Sequence, residues 1–275
     1  MNIHSSSTIR EWLISSQKAL SAEGIISARI DSMIMLELST KMDRAKILAN
    51  PNQKLSKAEL RKLKKILAIR LKNYPIAYIK GEEEFYGRNF IVDKSVLIPR
   101  PETEEIVQQI LELKLVNHPV IADIGTGSGC IGITLKLEIP DAKVDMYDIS
   151  NKALKIAKKN AKKNQAMVGI YKSDLLKQLK SDYDLIVANL PYVPKEVVTG
   201  KEVAYEPENA VFADNDGMAF LEDFWIQIKH IANGPKFIVT ESLDFQHHHN
   251  KSLAKKSGYR LAKTSNLTQI FIVQA

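Results

Sequence analysis

Two periodicities divide this chain. Over residues 8–72, apolar positions recur at helical spacing, as in Leu13 and Leu20 and in the set Ile30, Ile34, Leu38. Ser56 and Glu59 stand three apart ahead of Leu60, Leu63, Leu67 and Leu71. That spacing predicts a capped helix, because each side chain can satisfy the other's free backbone amide. No period-two run interrupts the block, so it predicts several packed helices. Residues 73–104, "NYPIAYIKGEEEFYGRNFIVDKSVLIPRPETE", change character. Gly81 and Gly87 punctuate short β-like pieces around Phe85 and Phe90 to Val92, and "IPRP" halts regular structure. A hairpin linker is predicted there.

From residue 102 the pattern alternates. Helix 102–115 leads to strand 119–124, helix 129–138 to strand 143–148, and helix 151–164 to strand 168–173. Strand 183–189 follows, then helix 217–231, strand 236–241, helix 245–257 and closing strands at 259–264 and 268–273. Such alternation predicts an α/β fold with a doubly wound sheet, parallel except at its C-terminal edge. The predicted organisation is a helical domain over 1–72, a β-hairpin linker over 73–101 and a catalytic-type α/β domain over 102–275.

Composition narrows the setting. No apolar run approaches the ~18 residues of a membrane span, and "MNIHSSSTIREWL" lacks a signal-peptide pattern. The one cysteine, Cys130, excludes an intramolecular disulfide and fits a reducing compartment. A cytoplasmic protein, monomeric and away from membranes, is expected. Of the net charge of +7, a surplus of nine lies in residues 1–80, with fifteen Lys/Arg against six Asp/Glu. The run "KLSKAELRKLKKILAIRLK" (54–72) is densest, and alone it reads best as a solvated helix face. The surplus across the whole domain points to RNA or ribosome proximity, since basic surfaces attract polyanions.

Candidate chemistry gathers at the ends of the predicted strands. "VIADIGTGSGCIGITL" (120–135) is an apolar strand, a turn formed by Gly125, Thr126, Gly127, Ser128 and Gly129, and an apolar helix. The glycines let the backbone approach a ligand where a Cβ would collide. Asp148, about 20 residues on, ends the next strand and could accept hydrogen bonds from ribose hydroxyls. Dinucleotide binding is the rival. The spacing is G-T-G-S-G rather than G-x-G-x-x-G, and Asp123 precedes the turn, details that suit S-adenosylmethionine. In "KSDLL" (172–176), Asp174 could accept an adenine amino group with Leu175 against the ring; alternatively Asp174 caps a turn.

The run "DLIVANLPYVPK" (184–195) is a buried-type strand stopped by Pro191 and Pro194, with Asn189 left at its carboxyl end. Taken alone it is a stiff turn. Beside the glycine loop it gains a chemical meaning. An amide or exocyclic NH2 is a poor nucleophile because its lone pair is delocalised. The Asn189 side-chain carbonyl and the Leu190 backbone carbonyl could accept its two hydrogens, aim the lone pair and stabilise charge developing on nitrogen. Pro191 would hold the second carbonyl and Tyr192 would offer a flat wall.

These segments together resemble the HemK/PrmC family of peptide chain release factor N5-glutamine methyltransferases. The likeness runs through "ARIDSMIML" (28–36), "FYGRNFIVDKSVLIPRPETE" (85–104), "DIGTGSGCIGI" (123–133), "DIS" (148–150), "NLPYVP" (189–194) and "EPENAVFADNDG" (206–217). It implies a Rossmann-like class I methyltransferase sheet and a helical N-terminal domain that helps grip the release factor. It also implies methylation of the glutamine in that factor's Gly-Gly-Gln motif, a step in translation termination. On this resemblance Gly125 to Gly129, Asp148 and Asn189 contact S-adenosylmethionine. Asn189, Leu190, Pro191 and Tyr192 hold the glutamine amide, and no metal is required.

The chain departs from the family pattern at Leu190, where Asn-Pro-Pro-Tyr is usual, at Ala213-Asp214, and at Glu241-Ser242-Leu243, where Glu-Ile-Gly is common. Its C-terminal "NLTQIFIVQA" lacks the family's frequent arginine. Asn-Leu-Pro-Tyr also occurs in rRNA adenine dimethyltransferases, so N6-methylation of adenine in RNA or DNA is one alternative. A non-catalytic nucleic-acid or ribonucleoprotein binding module is the other. "QHHHN" (246–250) lacks the i, i+4 spacing of a helical zinc site.

Overall fold

The computed structural model describes residues 7–197 and 200–274. The chain divides into two compact units with the boundary between Gly81 and Glu82. The first unit is helical, with helices Ile9–Ala22, Ala28–Thr40, Arg44–Ala49, Lys57–Arg70 and Ile76–Lys80. Reciprocal capping boxes start two of them, Thr8 with Glu11 and the anticipated Ser56 with Glu59. Leu60, Leu63 and Leu67 are buried with Trp12, Leu20, Met35 and Leu36. On the same helix Lys57, Arg61, Lys62, Lys64 and Lys65 are exposed, so most of the charge run is a solvated face.

Helix Ala28–Thr40 forms where its period predicts but turns a different face inward. Ile30 is 56% exposed, while Ala28, Asp31, Ser32, Met35 and Leu36 are buried. The polar members have partners. Asp31 Oδ2 accepts from Arg70 Nε at 2.6 Å, with both side chains 0% exposed. Ser27 Oγ donates to the same oxygen at 2.9 Å, and Ser32 pairs with Ser16 at 2.9 Å. A buried charge is tolerated where pairing and hydrogen bonds replace its hydration.

The second unit opens with a hairpin, β1 (Glu82–Phe85) and β2 (Arg88–Ile91). Tyr86 and Gly87 turn it with φ of +52° and +71°, the conformation that favours two-residue hairpin turns. Phe85 and Phe90 are fully buried in this unit's core, packed edge to face at 6.1 Å. Asn160 ties the hairpin down: its Oδ1 accepts from the Ile91 amide at 2.6 Å, and its Nδ2 donates to Ile91 O and Ser128 O.

The main sheet contains β3 (Val120–Ile124), β4 (Lys143–Asp148), β5 (Gly169–Lys172) and β6 (Leu185–Ala188). After β6 come a two-residue pair, β7 (Val193–Pro194) and β8 (Phe212–Ala213), then β9 (Phe237–Glu241), β10 (Tyr259–Ser265) and β11 (Thr268–Val273). The order across the sheet is β10-β11-β9-β6-β3-β4-β5. β5, β4, β3, β6 and β9 run parallel, and β11 runs antiparallel to both its neighbours. This is the anticipated doubly wound sheet with an antiparallel edge. All four residues of β6 are buried, as expected of a central strand covered on both faces.

Boundaries shift where the chain tightens. The expected helix 102–115 begins as a 3-10 turn, Pro101–Thr103, and continues as Glu104–Leu111. Helices Ala219–Ile228 and His247–Lys256 are shorter than their apolar runs suggested. Cys130 starts helix Cys130–Glu138 and sits in the core at 8% exposure. Among the described residues, no helix is long and apolar enough to cross a membrane.

Candidate active site

Register lines up the site. Ile124 pairs with Tyr147 on one side and Ala188 on the other, and Ala188 pairs with Thr240. One step further along each parallel strand therefore brings Asp148, Gly125, Asn189 and Glu241 into a single row. That row lies at the carboxyl ends of β4, β3, β6 and β9, where such sheets bind ligands.

The glycine loop fills the left of the row. Gly125, Gly127 and Gly129 have φ of +71°, +56° and +85°. Their reasons differ. A Cβ on Gly125 would lie 3.0 Å from Leu190 Cδ2 at the cavity wall, whereas one on Gly129 would lie 2.9 Å from Ile133 Cδ1 in the core. Asp148 holds the loop, with Oδ2 accepting from the Gly127 amide at 2.9 Å and Oδ1 from the Ser150 amide at 2.8 Å. Burial raises the Asp148 pKa above the ordinary carboxylate value. Asp123 works from beneath: its Oδ2 accepts from Thr126 Oγ1 at 2.5 Å and from the Gly132 amide at 3.0 Å. Burial pushes Asp123 up to about 6.

Asn189 stands on the right of the row. Its Nδ2 donates to Glu241 Oε2 at 3.2 Å and to Thr103 Oγ1 at 3.3 Å. Tyr192 OH donates to Glu241 Oε1 at 2.6 Å. Burial and the adjacent Glu241 carboxylate raise the Tyr192 pKa, and burial raises that of Glu241. The turn after Asn189 is clamped from behind. Gln246 Nε2 donates to Tyr192 O at 2.8 Å and to Asp216 O at 2.7 Å. Gly217 passes so close that a Cβ there would lie 2.1 Å from Tyr192 O. Glu206, 7% exposed, pairs with Arg100 and accepts from the Ile98 amide at 3.0 Å, joining "LIPR" to "EPEN".

Two cavities meet at Asn189–Pro191. One is lined by Gly125, Gly127, Asp148, Asp174, Leu175, Asn189, Leu190 and Pro191. The other is lined by Arg100, Thr103, Asn189, Leu190, Pro191, Tyr192 and Glu241. Thr126, Ser128 and Gly129 line neither; they shape the loop from its core side. Asp174 is an exposed rim residue paired with Lys177 at 2.5 Å. Among the described residues, no three His, Cys, Asp or Glu side chains are grouped to hold a metal ion. Of the histidine run, His247 Nε2 lies 3.1 Å from Ser242 O and His249 Nε2 lies 3.1 Å from Glu222.

Glu241, Thr103, Glu206 and Gln246 were not singled out by function in the sequence. Two signals point to Glu241: its match to the Glu of the family's Glu-Ile-Gly and the shared level of adjacent strand ends.

Comparison with known proteins fits this geometry. Residues 11–81 match the PrmC N-terminal domain, and residues 104–206 match the methyltransferase small domain. The release factor glutamine methyltransferase of Koribacter versatilis is 38% identical over 240 residues, 84% of this chain and 85% of that protein. That of Bacillus subtilis is 36% identical over 219 residues, 76% of each. A bifunctional methyltransferase of Rickettsia bellii is 32% identical over 96% of this chain, which spans only 50% of that longer protein. A solved methyltransferase from Pyrococcus furiosus superposes with a TM-score of 0.52 over 76% of this chain and 98% of its own, at 18% identity. The last likeness shows the class I methyltransferase fold. The chain therefore belongs to the release factor glutamine methyltransferase family, whose methyl donor is S-adenosylmethionine.

Proposed function

We propose that this protein methylates the side-chain amide nitrogen of the glutamine in the Gly-Gly-Gln motif of a peptide chain release factor. The observation that carries the reading is the meeting of two cavities at Asn189–Pro191, one walled by Asp148 and Gly125 and the other by Tyr192. The first cavity fits the donor: Gly125 leaves space a Cβ would fill, and the carboxylates of Asp148 and Asp174 suit ribose hydroxyls and an amino group. S-adenosylmethionine supplies an electrophilic methyl on a sulfonium.

The chain's own residues do the rest. Gly125 and Gly127, with Asp148, Asp174, Leu175 and Asn189, form the donor cavity, while Thr126, Ser128 and Gly129 set the loop's shape. Asn189 Oδ1 and the Leu190 carbonyl accept the two glutamine hydrogens and aim the nitrogen's lone pair. Pro191 stiffens the turn and Tyr192 walls the planar amide. Methyl transfer would be the donor's chemistry when bound; this chain's part is to orient the acceptor nitrogen and stabilise the charge that develops on it. Neutral oxygen acceptors suffice, so no titratable base is needed at the attack.

Incubation with labelled S-adenosylmethionine and purified release factors, followed by peptide mapping, should place the label on the Gly-Gly-Gln glutamine. Label in RNA, or none in the factor, would defeat the reading.

Asp148→Ala should weaken cofactor binding by about ten- to a hundredfold, because charge-assisted bonds are worth ~1.5–3 kcal/mol. The carboxylate also fastens Gly127, so the loop loosens with it. Calorimetric titration measures this, and unchanged affinity would remove Asp148 from the site.

We further propose that the basic first unit engages the release factor or nearby ribosomal RNA, and that the protein works as a cytoplasmic monomer. A chain beginning at Glu82 should then bind cofactor normally yet methylate intact release factor poorly. Equal turnover by the folded short and full chains would reduce the basic face to solvation.

A further inference from the structure

We propose that Glu241 is a positioning residue that locks the Asn189 amide with its oxygen toward the acceptor, and so sets the site's preference for an NH2 group. The inference rests on the role given to Asn189 above and extends it to a residue outside the Asn189–Tyr192 motif.

The argument begins with the amide's two possible orientations. Asn189 could present either Oδ1 or Nδ2 to the acceptor, and only Oδ1 can receive a hydrogen from a glutamine nitrogen. A lone asparagine at a strand end would populate both. Here β9 ends level with Asn189 and delivers the Glu241 carboxylate 3.2 Å from one end of the amide. An ionised carboxylate accepts only. The end facing it is Nδ2, which donates to Oε2; with the carboxylate ionised, the flipped amide would set two acceptors against each other at that distance. Thr103 holds the same end: its Oγ1 accepts from Asn189 Nδ2 at 3.3 Å.

The same carboxylate removes a second ambiguity. Tyr192 OH donates to Glu241 Oε1 at 2.6 Å, so its proton is directed away from the acceptor. Two donors converge on one carboxylate that is only 2% exposed. Such a buried anion costs desolvation, and satisfied networks are where it is tolerated. What remains for a ligand at Asn189 is an oxygen acceptor. An acceptor with NH2 fits that arrangement, and a glutamate carboxylate in place of glutamine would meet oxygen against oxygen.

The test reads the lock directly and separately from turnover. In the full chain labelled with 15N-asparagine, the Asn189 side-chain signals, assigned by their loss in Asn189→Ala, should show slow hydrogen exchange. Glu241→Ala should speed that exchange and lower kcat on release factor by about ten- to a hundredfold, the scale of a misplaced reacting group. Cofactor affinity should stay near wild type, which a general collapse would not allow. If Glu241→Ala does not fold, Glu241→Gln fills the same volume but leaves one oxygen for Asn189 and Tyr192 to share, and kcat should again fall with cofactor binding retained. Wild-type kcat in the folded variant, or slow Asn189 exchange persisting without the carboxylate, overturns the proposal. Failure of the wild-type chain to methylate release factor would strike the proposed function instead, leaving the exchange measurement to decide the lock.

Discussion

Asn189→Ala should lower turnover on release factor by about 10²–10³, the usual cost of removing a positioned hydrogen-bonding group at a transition state. The variant should still fold, because Asn189 is half-buried and its neighbours are held by other bonds. Asn189→Asp is more informative. On charge alone an aspartate would attract a cationic cofactor. In the structure, however, the replaced nitrogen faces Glu241 Oε2 at 3.2 Å. Two carboxylates that close cannot both ionise comfortably, so one takes up a proton, and the Asn189 donations to Glu241 and Thr103 are lost. Asp should therefore lose turnover as Ala does. Single-turnover assays with cofactor affinity measured alongside check both variants. A wild-type rate in Asn189→Ala would leave the strand end as a stiff turn and remove the proposed mechanism.

Asp31→Ala should destabilise the first unit by ~3–5 kcal/mol, because it withdraws the carboxylate from a guanidinium taken wholly out of water. Denaturant unfolding of the full chain, with a probe in each unit, would localise the loss. Replacing both partners at once, as Asp31→Leu with Arg70→Met, should recover much of it, since a buried ion pair exchanged for apolar groups of similar size is often neutral. If the double replacement costs as much as the single one, packing around Asp31 rather than charge sets the effect.

The sequence disclosed whatever depends on chain-local chemistry. Gly125 and Asn189 were legible because each follows a strand whose apolar run is plain, and Asp148 because it closes a β piece about 20 residues beyond the glycine turn. Glu241 also ends such a strand and keeps the Glu of the family's Glu-Ile-Gly, yet its role depends on β9 lying beside β6, and that adjacency leaves no local signal. The inward face of Ala28–Thr40 departs from its apolar period for a related reason. Apolar period pointed to Ile30, but the buried positions are held by Asp31 and Ser32, whose partners come from other helices. The glycine loop reads in sequence as one ligand-binding unit, whereas in the structure its members divide. Gly125 and Gly127 line the cavity, and Gly129 answers to packing against Ile133 and Ala157. The short β7–β8 pair spans two residues a strand, too few for any period to register.

Cys130, whose thiol burial pushes up to about 12, turns the core around helix Cys130–Glu138 into a self-reporting material. The thiolate is the species that alkylating reagents attack, and here the sulfur is both protonated and enclosed. Labelling in native buffer must await an opening of the core around helix Cys130–Glu138. With one thiol in the chain, every adduct counts one such opening. When reclosure is faster than alkylation, the labelling rate yields the free energy of that fluctuation without denaturant. Cofactor that binds only the closed form should slow the clock in proportion to its saturation.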